Sequence, residues 1–481
     1  MKPWLKNVIF FLIIAGFLYV DFFFIIDEGE VWFNVLPIVL AFLVWVVFSI
    51  DKALLLIGFL VPLSVPLVEF YPDLFFNIDL PTEPIFVLFL CAFLYRLFVK
   101  KTYDTTYFHH PVCIVVLAYL AWRLVTVIFS TLPLVSLKYW IASLWFICPF
   151  LFLLLPLFRE EKNIRIFLIG YIISLVPVII YTLSRHLGYH FNQEAANYVC
   201  NPFYKDHTSY GAALAMFIPV NIGLLFLKEM NRWLKLLLFL VLCMLLVGIV
   251  FSYTRAAWVS IGAAIATIFV LRWELRPKTL FLLLIAGIVI LIPLSNNILV
   301  NLSHNRQDSS SNFTEHIQSI SNVQTDASNL ERINRWHSAI RMFKERPIFG
   351  WGPGTYQFNY APFQSHKDKT IISTNSGNMG NAHSEYIGNL AESGLLGSLG
   401  FVLICIMIYV TGMRAYKNTQ TYNAKVLIMS VLCGISTYFV HGAMNNFLDI
   451  DKIAVPFWGF AAILVILDVL SSNKNEHFLS K

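Results

Sequence analysis

Long apolar runs, separated by short polar connections, repeat along most of the chain. Their lengths of roughly 17 to 22 residues are close to the roughly 20 that an α-helix needs to cross a bilayer. Strands of a membrane barrel would alternate apolar and polar residues instead. The pattern therefore predicts an all-α polytopic membrane protein with about 12–14 transmembrane helices and a large, partly helical loop outside the membrane.

Fourteen segments are candidate spans. The third is short and contains Pro62 and Pro66, so we expect it to be bent or only partly inserted. The candidates lie near residues 8–26, 33–50, 53–68, 84–99, 111–129, 139–157, 164–182, 209–227, 233–251, 256–272, 279–295, 390–412, 425–446 and 453–470.

Composition supports the same class. Hydrophobic residues make up 58% of the 481 residues and charged residues 13%, too few polar groups to cover the surface of a water-soluble domain of this size. Six of the seven cysteines lie in apolar runs, so no disulfide framework is implied. The net charge of +6 mostly reflects the Lys and Arg residues that orient the chain in the membrane. The sequence contains no nucleic-acid-binding pattern.

The distribution of Lys and Arg predicts the orientation, because positive charge is retained on the cytoplasmic side. With the first span kept as a membrane helix and the N-terminus inside, the inner connections hold about 20 of the 34 Lys and Arg residues. The predicted organisation is an N-terminal part of the transmembrane bundle at 1–295, a large periplasmic loop with an amphipathic helix at 296–384, C-terminal transmembrane helices at 385–472 and a cytoplasmic tail at 473–481.

Two predicted outer segments, 184–208 and 296–384, are longer than a simple connection requires, and long loops often carry function. The second contains apolar residues at helical spacing, with a proline after the last of them. These residues are Leu330, Ile333, Trp336, Ile340 and Phe343, followed by Pro347. An interfacial amphipathic helix is one interpretation, with Trp336 at the depth of the lipid headgroups.

Several arginines lie where a charge needs a partner. Arg332 and Arg335 are three residues apart on one side of this helix, although Arg335 could simply pair with Glu331 one turn earlier. Arg255 lies at the outer end of two apolar spans, where it could bind a phosphate, cap helix carbonyls or extend to the surface. Arg123 lies within a span and could bind substrate or pair with a distant carboxylate.

His383 precedes the twelfth span, between Asn381 and Glu385. Its imidazole can take up a proton near neutral pH or donate to an anion, but an isolated loop histidine is often incidental. The Gly350–Gly354 run allows close backbone approach and could bind an oxyanion, or could be a tight turn.

Taken together, these motifs resemble those of the O-antigen ligase and polymerase superfamily of bacterial membrane glycosyltransferases. The similarity covers roughly residues 200–450. Lys205–Gly211, which contains His207, resembles the family's polar entry to a span, although Thr208 and Ser384 stand where many members have Asn. The other motifs are Thr254–Trp258 (TRAAW), Glu331–Trp336 (ERINRW), Pro347–Gly354 (PIFGWGPG) and His383–Gly397 (HSEYIGNLAESGLLG).

The resemblance implies transfer of a glycan from undecaprenyl pyrophosphate to an acceptor at the periplasmic face of the bacterial inner membrane. Lipid A core is the expected acceptor, which would place the chain in lipopolysaccharide biosynthesis. It also implies roles for six residues. His383, Arg255 and Arg332 would be catalytic, and Arg335, His207 and Trp336 would bind pyrophosphate or glycan. Arg123, an ionisable residue within a span outside the region of similarity, is a further candidate for binding pyrophosphate or glycan. His383 would act as general base or help to neutralise the leaving group.

We expect inversion at the anomeric carbon, because the acceptor would attack directly. We expect no acidic DxD-type metal motif in the outer loops and no metal or other cofactor, with arginines replacing a divalent ion. Polysaccharide polymerase and protein O-oligosaccharyltransferase are the alternatives within the enzyme class. Outside that class, a flippase or transporter and a noncatalytic scaffold remain open.

Overall fold

A computed structural model describes residues 15–16, 19–20, 36–71, 78–228, 230–275, 278–279, 327–366, 369, 373 and 380–472. The predicted spans near 279–295 and, almost entirely, 8–26 lie outside these residues, as do the polar stretch 296–326, Gly377 and the tail 473–481.

The described chain is almost entirely helical. The helices, numbered along the chain, are α1 Leu36–Phe48, α2 Ile50–Leu60, α3 Thr82–Leu94, α4 Pro111–Ile128, α5 Pro133–Ile147, α6 Leu154–Leu157, α7 Glu161–Gly188, α8 Gln193–Val199, α9 His207–Phe226, α10 Arg232–Phe251, α11 Arg255–Arg272, α12 Ala327–Glu345, α13 Tyr356–Asn359, α14 Glu385–Asn418, α15 Tyr422–Met444 and α16 Asp451–Ser472. Two-residue strands β1 Val65–Pro66 and β2 Asp79–Leu80 pair antiparallel, with Val65 opposite Leu80.

Shorter helical pieces complete the pattern. A π-helix, Tyr95–Val99, continues α3, and another, Cys148–Leu153, joins α5 to α6. The 3-10 turns are Val61–Leu63, Leu67–Glu69, Thr105–His109 and Ala361–Phe363.

Ten helices in the described part of the chain are long and apolar enough to cross a membrane, which confirms the all-α polytopic class. The predicted third span is interrupted: α2 ends at Leu60, and 3-10 turns and β1 follow. Pro62 and Pro66 explain the interruption, because proline lacks the N–H that a continuing helix requires.

Residues 1–53 and 54–481 form two compact units. In the larger unit, α16 is buried on nearly all sides, and its sequence is correspondingly apolar all round. It packs against α14 and α15, while α9, α11 and α15 pack against one another. Of the described spans, α9, α15 and α16 are the most buried.

The Pro347–Gly354 segment packs against α14 at a break in that helix. Gly394 has φ +69°, so the helix is interrupted there and the carbonyls of Ala391 and Glu392 accept hydrogen bonds from elsewhere. The backbone N–H of Trp351 donates to Ala391 at 3.0 Å, and that of Gly352 donates to Glu392 at 2.8 Å. In return, the N–H of Leu395 donates to the carbonyl of Pro347 at 3.0 Å. Two sequence motifs thus form one interlocked structure.

Replacing Gly394 with Ala should destabilise this structure. A Cβ at Gly394 would overlap the carbonyl of Ile348, and the positive φ adds strain that usually costs about 1–3 kcal/mol. We expect a lower thermal unfolding temperature in detergent by differential scanning fluorimetry. Gly262→Ala is the matched control, because no atom lies within 4 Å of a Cβ there. Equal unfolding temperatures for the two variants would contradict the interlocked arrangement.

Candidate functional site

Charged and imidazole side chains converge where α9, α11 and α14 begin and where α12 packs against α14. We call this group the cationic cluster. Electrostatic interactions link its members across five separate parts of the chain. They are Asp206, His207, Arg255, Arg332, His383 and His441.

Arg255 is the first residue of α11, and a hydrogen-bonded turn fixes its position. The Oγ1 of Thr254 donates to the carbonyl of His207 at 2.7 Å, which attaches the start of α11 to the start of α9. Gly211 allows this contact, since a Cβ there would lie 2.7 Å from Thr254. The Nε1 of Trp258 donates to the carbonyl of Ile249 at 2.9 Å. The TRAAW motif therefore positions one guanidinium.

Arg332 on α12 supplies the second guanidinium of the cationic cluster. Burial lowers its pKa, while the nearby Asp206 carboxylate acts in the opposite direction. Arg255 and Arg332 are close enough to repel each other. Because arginine keeps its charge at any physiological pH, a bound anion would relieve this repulsion.

Asp206 caps α9 and adds one negative charge to the cationic cluster. Its Oδ1 accepts hydrogen bonds from the backbone N–H groups of Thr208 at 2.9 Å and Ser209 at 2.8 Å. Burial opposes ionisation, but the hydrogen bonds from Thr208 and Ser209 outweigh it, so the pKa of Asp206 is lowered. One carboxylate therefore offsets part of the charge of two arginines.

His383 lies in the left-handed region, with φ +50°, and short contacts hold it there. Its N–H donates to Oδ1 of Asn381 at 3.1 Å, and its carbonyl accepts from Nε1 of Trp336 at 3.3 Å. Burial, followed by repulsion from Arg332 and Arg335, lowers the pKa of His383 to about 3. The imidazole is consequently neutral at physiological pH and can accept a proton.

Sequence reasoning missed His441, Asp206 and Asn445. His441 is buried in α15 and bonds through Nε2 to the side-chain amide of Asn445 at 3.1 Å, and Asn445 in turn bonds to His383. An ionisable residue within an apolar span was the available signal for His441. Asp206 preceded a predicted span and could have been identified as a helix cap.

Of the predicted site residues, His383, Arg255, Arg332 and His207 come together in the cationic cluster. Trp336 is half-buried and contacts the cluster through its hydrogen bond to the His383 carbonyl. Another face of α12 is buried. That face carries Glu331, Asn334, Arg335, Ser338, Ala339 and Met342. Arg123 lies elsewhere, between the rings of Tyr119 and Tyr139.

Arg335 is held by structural partners. Its Nε donates to Glu331 Oε1 at 2.9 Å, one turn earlier, and its Nη1 donates to the carbonyl of Asn381 at 3.0 Å. Its guanidinium also lies 5.3 Å from the centre of the Tyr360 ring. These contacts attach α12 to the segment that carries His383.

Arg335→Gln should lower stability more than Arg332→Gln, because it removes the buried ion pair between Arg335 and Glu331, a change that typically costs about 3–5 kcal/mol. Thermal unfolding in detergent and the rate of tryptic cleavage between residues 327 and 384 measure this. If Arg332→Gln proves the less stable variant, the structural role of Arg335 is refuted.

The neutral state of His383 should depend on the occupancy of the cationic cluster. A bound anion offsets the positive field of Arg332 and Arg335, so adding inorganic pyrophosphate should raise the pKa of His383 from about 3 towards neutrality. Histidine-labelled protein, with the His383 resonance assigned by His383→Gln, would show the change in an NMR pH titration. The resonance of the exposed His190 should not respond to pyrophosphate. A His383 titration that pyrophosphate leaves unchanged would mean that the anion binds elsewhere.

The described residues contain no group of three or more His, Cys, Asp and Glu side chains arranged to hold a metal ion. A DxD pattern does occur in the short connection before α16, as Asp449-Ile450-Asp451. Its two carboxylates face different surroundings: Asp449 lines a cavity, whereas Asp451 accepts hydrogen bonds from Thr82 at 2.7 Å and Lys452 at 2.9 Å. They do not converge on one ion.

The fold defines a polytopic membrane protein, and the cationic cluster is its candidate site. A family model described as O-antigen ligase matches residues 238–402, about a third of the chain. This match confirms the predicted resemblance to the O-antigen ligase and polymerase superfamily. Arg255, Arg332 and His383 lie within the matched region, whereas Arg123 and His441 lie outside it.

A curated protein of Haemophilus influenzae, described as uncharacterized, is 26% identical to this chain over 184 residues. The match covers 38% of this chain and 43% of the relative. The chain therefore spans less than half the length of this relative.

Proposed function

We propose that this protein transfers a glycan from undecaprenyl pyrophosphate to an acceptor, most simply the sugar of a lipid A core, at the periplasmic face of the inner membrane. The cationic cluster carries the proposal, together with the O-antigen ligase domain around it. The cluster combines two guanidiniums with a neutral imidazole at one end of the helical bundle. Pyrophosphate is the anion whose charge and geometry suit a pair of arginines.

In the proposed reaction, Arg255 and Arg332 hold the pyrophosphate of the donor. An acceptor hydroxyl attacks the anomeric carbon, forming a new glycosidic C–O bond as the C–O bond to pyrophosphate breaks. The bonding electrons leave with undecaprenyl pyrophosphate, and the two guanidiniums stabilise the charge that develops on it. A single displacement of this kind inverts the configuration.

His383 would take the proton of the acceptor hydroxyl. Free of ligand, its low pKa makes it a weak base, but the bound pyrophosphate raises its proton affinity towards the range that favours general base catalysis. His441 and Asn445 act as positioning residues, because the amide of Asn445 bonds to both imidazoles. Arg335 positions the segment around His383 and does not bind pyrophosphate in this scheme.

Purified protein in lipid nanodiscs, given an undecaprenyl pyrophosphate-linked glycan and lipid A core, should yield glycosylated lipid A core by gel and mass spectrometry. Arg255→Gln, Arg332→Gln and His383→Gln should each lower the rate by at least about 100-fold, as removing one transition-state donor commonly does. Arg272→Gln is the control, because Arg272 is exposed and lies at the opposite end of α11 from Arg255. Unchanged rates in all three variants would refute the proposed site.

The same assay separates the other functions. Extension of the carrier-linked glycan would identify a polymerase, and labelling of an added protein would identify a protein O-oligosaccharyltransferase. In sealed proteoliposomes, movement of the donor across the bilayer without any glycan transfer would identify a flippase. Because the arginines supply the positive charge in this account, we expect activity to persist in EDTA. Loss of activity that Mg²⁺ restores would show that a metal ion shares this role.

A further inference from the structure

A cavity of about 270 Å³ lies beside the cationic cluster. Its volume approaches the roughly 300 Å³ of small ligand sites. Unlike the cationic cluster, it is lined by aromatic rings and by carboxylates, with one arginine. They include Tyr119, Arg123, Tyr139, Glu392, Asp449 and Trp458.

Two chain segments form a wall shared by the cavity and the cluster. In the first, His383 belongs to the cluster, while Ala382 and Ser384 on either side of it line the cavity. In the second, Asn445 bonds to His383, while Asn446 lines the cavity. The Glu385 side chain ties these segments together, since its Oε1 accepts from the N–H groups of residues 447 and 448 at 2.9 and 3.0 Å. The cavity is therefore directly adjacent to the proposed base.

Arg123 is the cation of this cavity. Its side chain is 94% buried, with its guanidinium carbon 5.5 Å from the centre of the Tyr119 ring and 5.2 Å from that of Tyr139. Within the described residues, Nη1 donates to Ser143 at 3.3 Å, and Nε has no hydrogen-bond partner. No carboxylate there lies within 4 Å of the guanidinium. A buried charge of this kind requires a polar ligand or water.

Carboxylates make the cavity unsuitable for pyrophosphate. Glu385, Glu392 and Asp449 line it together with a single arginine, so it offers two phosphates less positive charge than the paired arginines of the cationic cluster do. Burial raises the pKa of Asp449 to about 6, which still leaves it largely ionised at neutral pH. The Asn446 Oδ1 is buried and, among the described residues, accepts no hydrogen bond. The lining thus offers both donors and acceptors to a ligand rich in hydroxyl groups.

We infer that this cavity binds a sugar unit of the acceptor glycan and presents its hydroxyl to His383. The aromatic rings of Tyr119, Tyr139 and Trp458 offer apolar faces, while Arg123, Asn446 and the carboxylates offer hydrogen bonds, the two contacts that a sugar ring needs. The inference rests on the proposed function. It assigns Arg123 to acceptor recognition and not to the pyrophosphate.

Acceptor kinetics test this assignment. In the nanodisc assay, Arg123→Gln and Tyr139→Phe should each raise the KM for lipid A core about tenfold or more, and the KM for the lipid-linked donor should not change. Arg123→Lys, which keeps the charge, should restore part of the lost affinity. Arg272→Gln again serves as the control. Monodisperse elution and an unchanged unfolding temperature would show that the variants fold.

Direct binding separates this inference from the proposed function. Lipid A core oligosaccharide, titrated calorimetrically, should bind the wild type and Arg255→Gln but bind Arg123→Gln more weakly. If Arg123→Gln instead raises the donor KM alone, the cavity holds the donor glycan and the inference is wrong. If oligosaccharide binding is unchanged in Arg123→Gln, the cavity is not the acceptor site. Loss of oligosaccharide binding in Arg123→Gln, with Arg255→Gln fully active, would support the cavity and refute the pyrophosphate site.

Discussion

Repulsion between the guanidiniums of Arg255 and Arg332 is the interaction on which this account depends. The two residues are 77 positions apart in the chain, yet their guanidiniums are close enough to repel each other. Asp206 compensates for only part of that charge, and the neighbouring imidazoles add none while they are neutral. Holding two such cations together costs free energy, and a bound anion would offset this cost through its attraction to both. The surrounding structure must therefore be rigid enough to keep them in place.

Much of the described structure near the cationic cluster provides this rigidity. The glycine-rich Pro347–Gly354 segment occupies the break in α14, and Arg335 joins α12 to the chain just before His383. Glu385 fastens the start of α14 to the connection that follows α15. Each of these contacts joins a motif from one region of the sequence to another. They explain why several motifs, each weak alone, occur together in one chain.

The class of fold and most of the spans could be predicted from the sequence, because the length of apolar runs reflects the thickness of the bilayer directly. Arg255, Arg332 and His383 could be proposed because charges at the ends of apolar helices need an explanation. The partners of these residues could not be predicted. The packing of α9 against α15 brings His441 and Asp206 into the cluster, and hydrophobic periodicity does not predict such a long-range contact. The break in α14 at Gly394 could not be predicted either, because the spacing of glycines along a helix is equally consistent with close helix packing.

The most direct test of the central claim is a double-mutant cycle on the binding of undecaprenyl pyrophosphate, measured by native mass spectrometry for wild type, Arg255→Gln, Arg332→Gln and the double variant. If the two arginines hold one pyrophosphate, each single substitution should weaken binding, and the double substitution should depart from the sum of the two by about 0.5 kcal/mol or more. Strictly additive losses would mean that the arginines act at independent sites. Undiminished binding in the double variant would contradict the account.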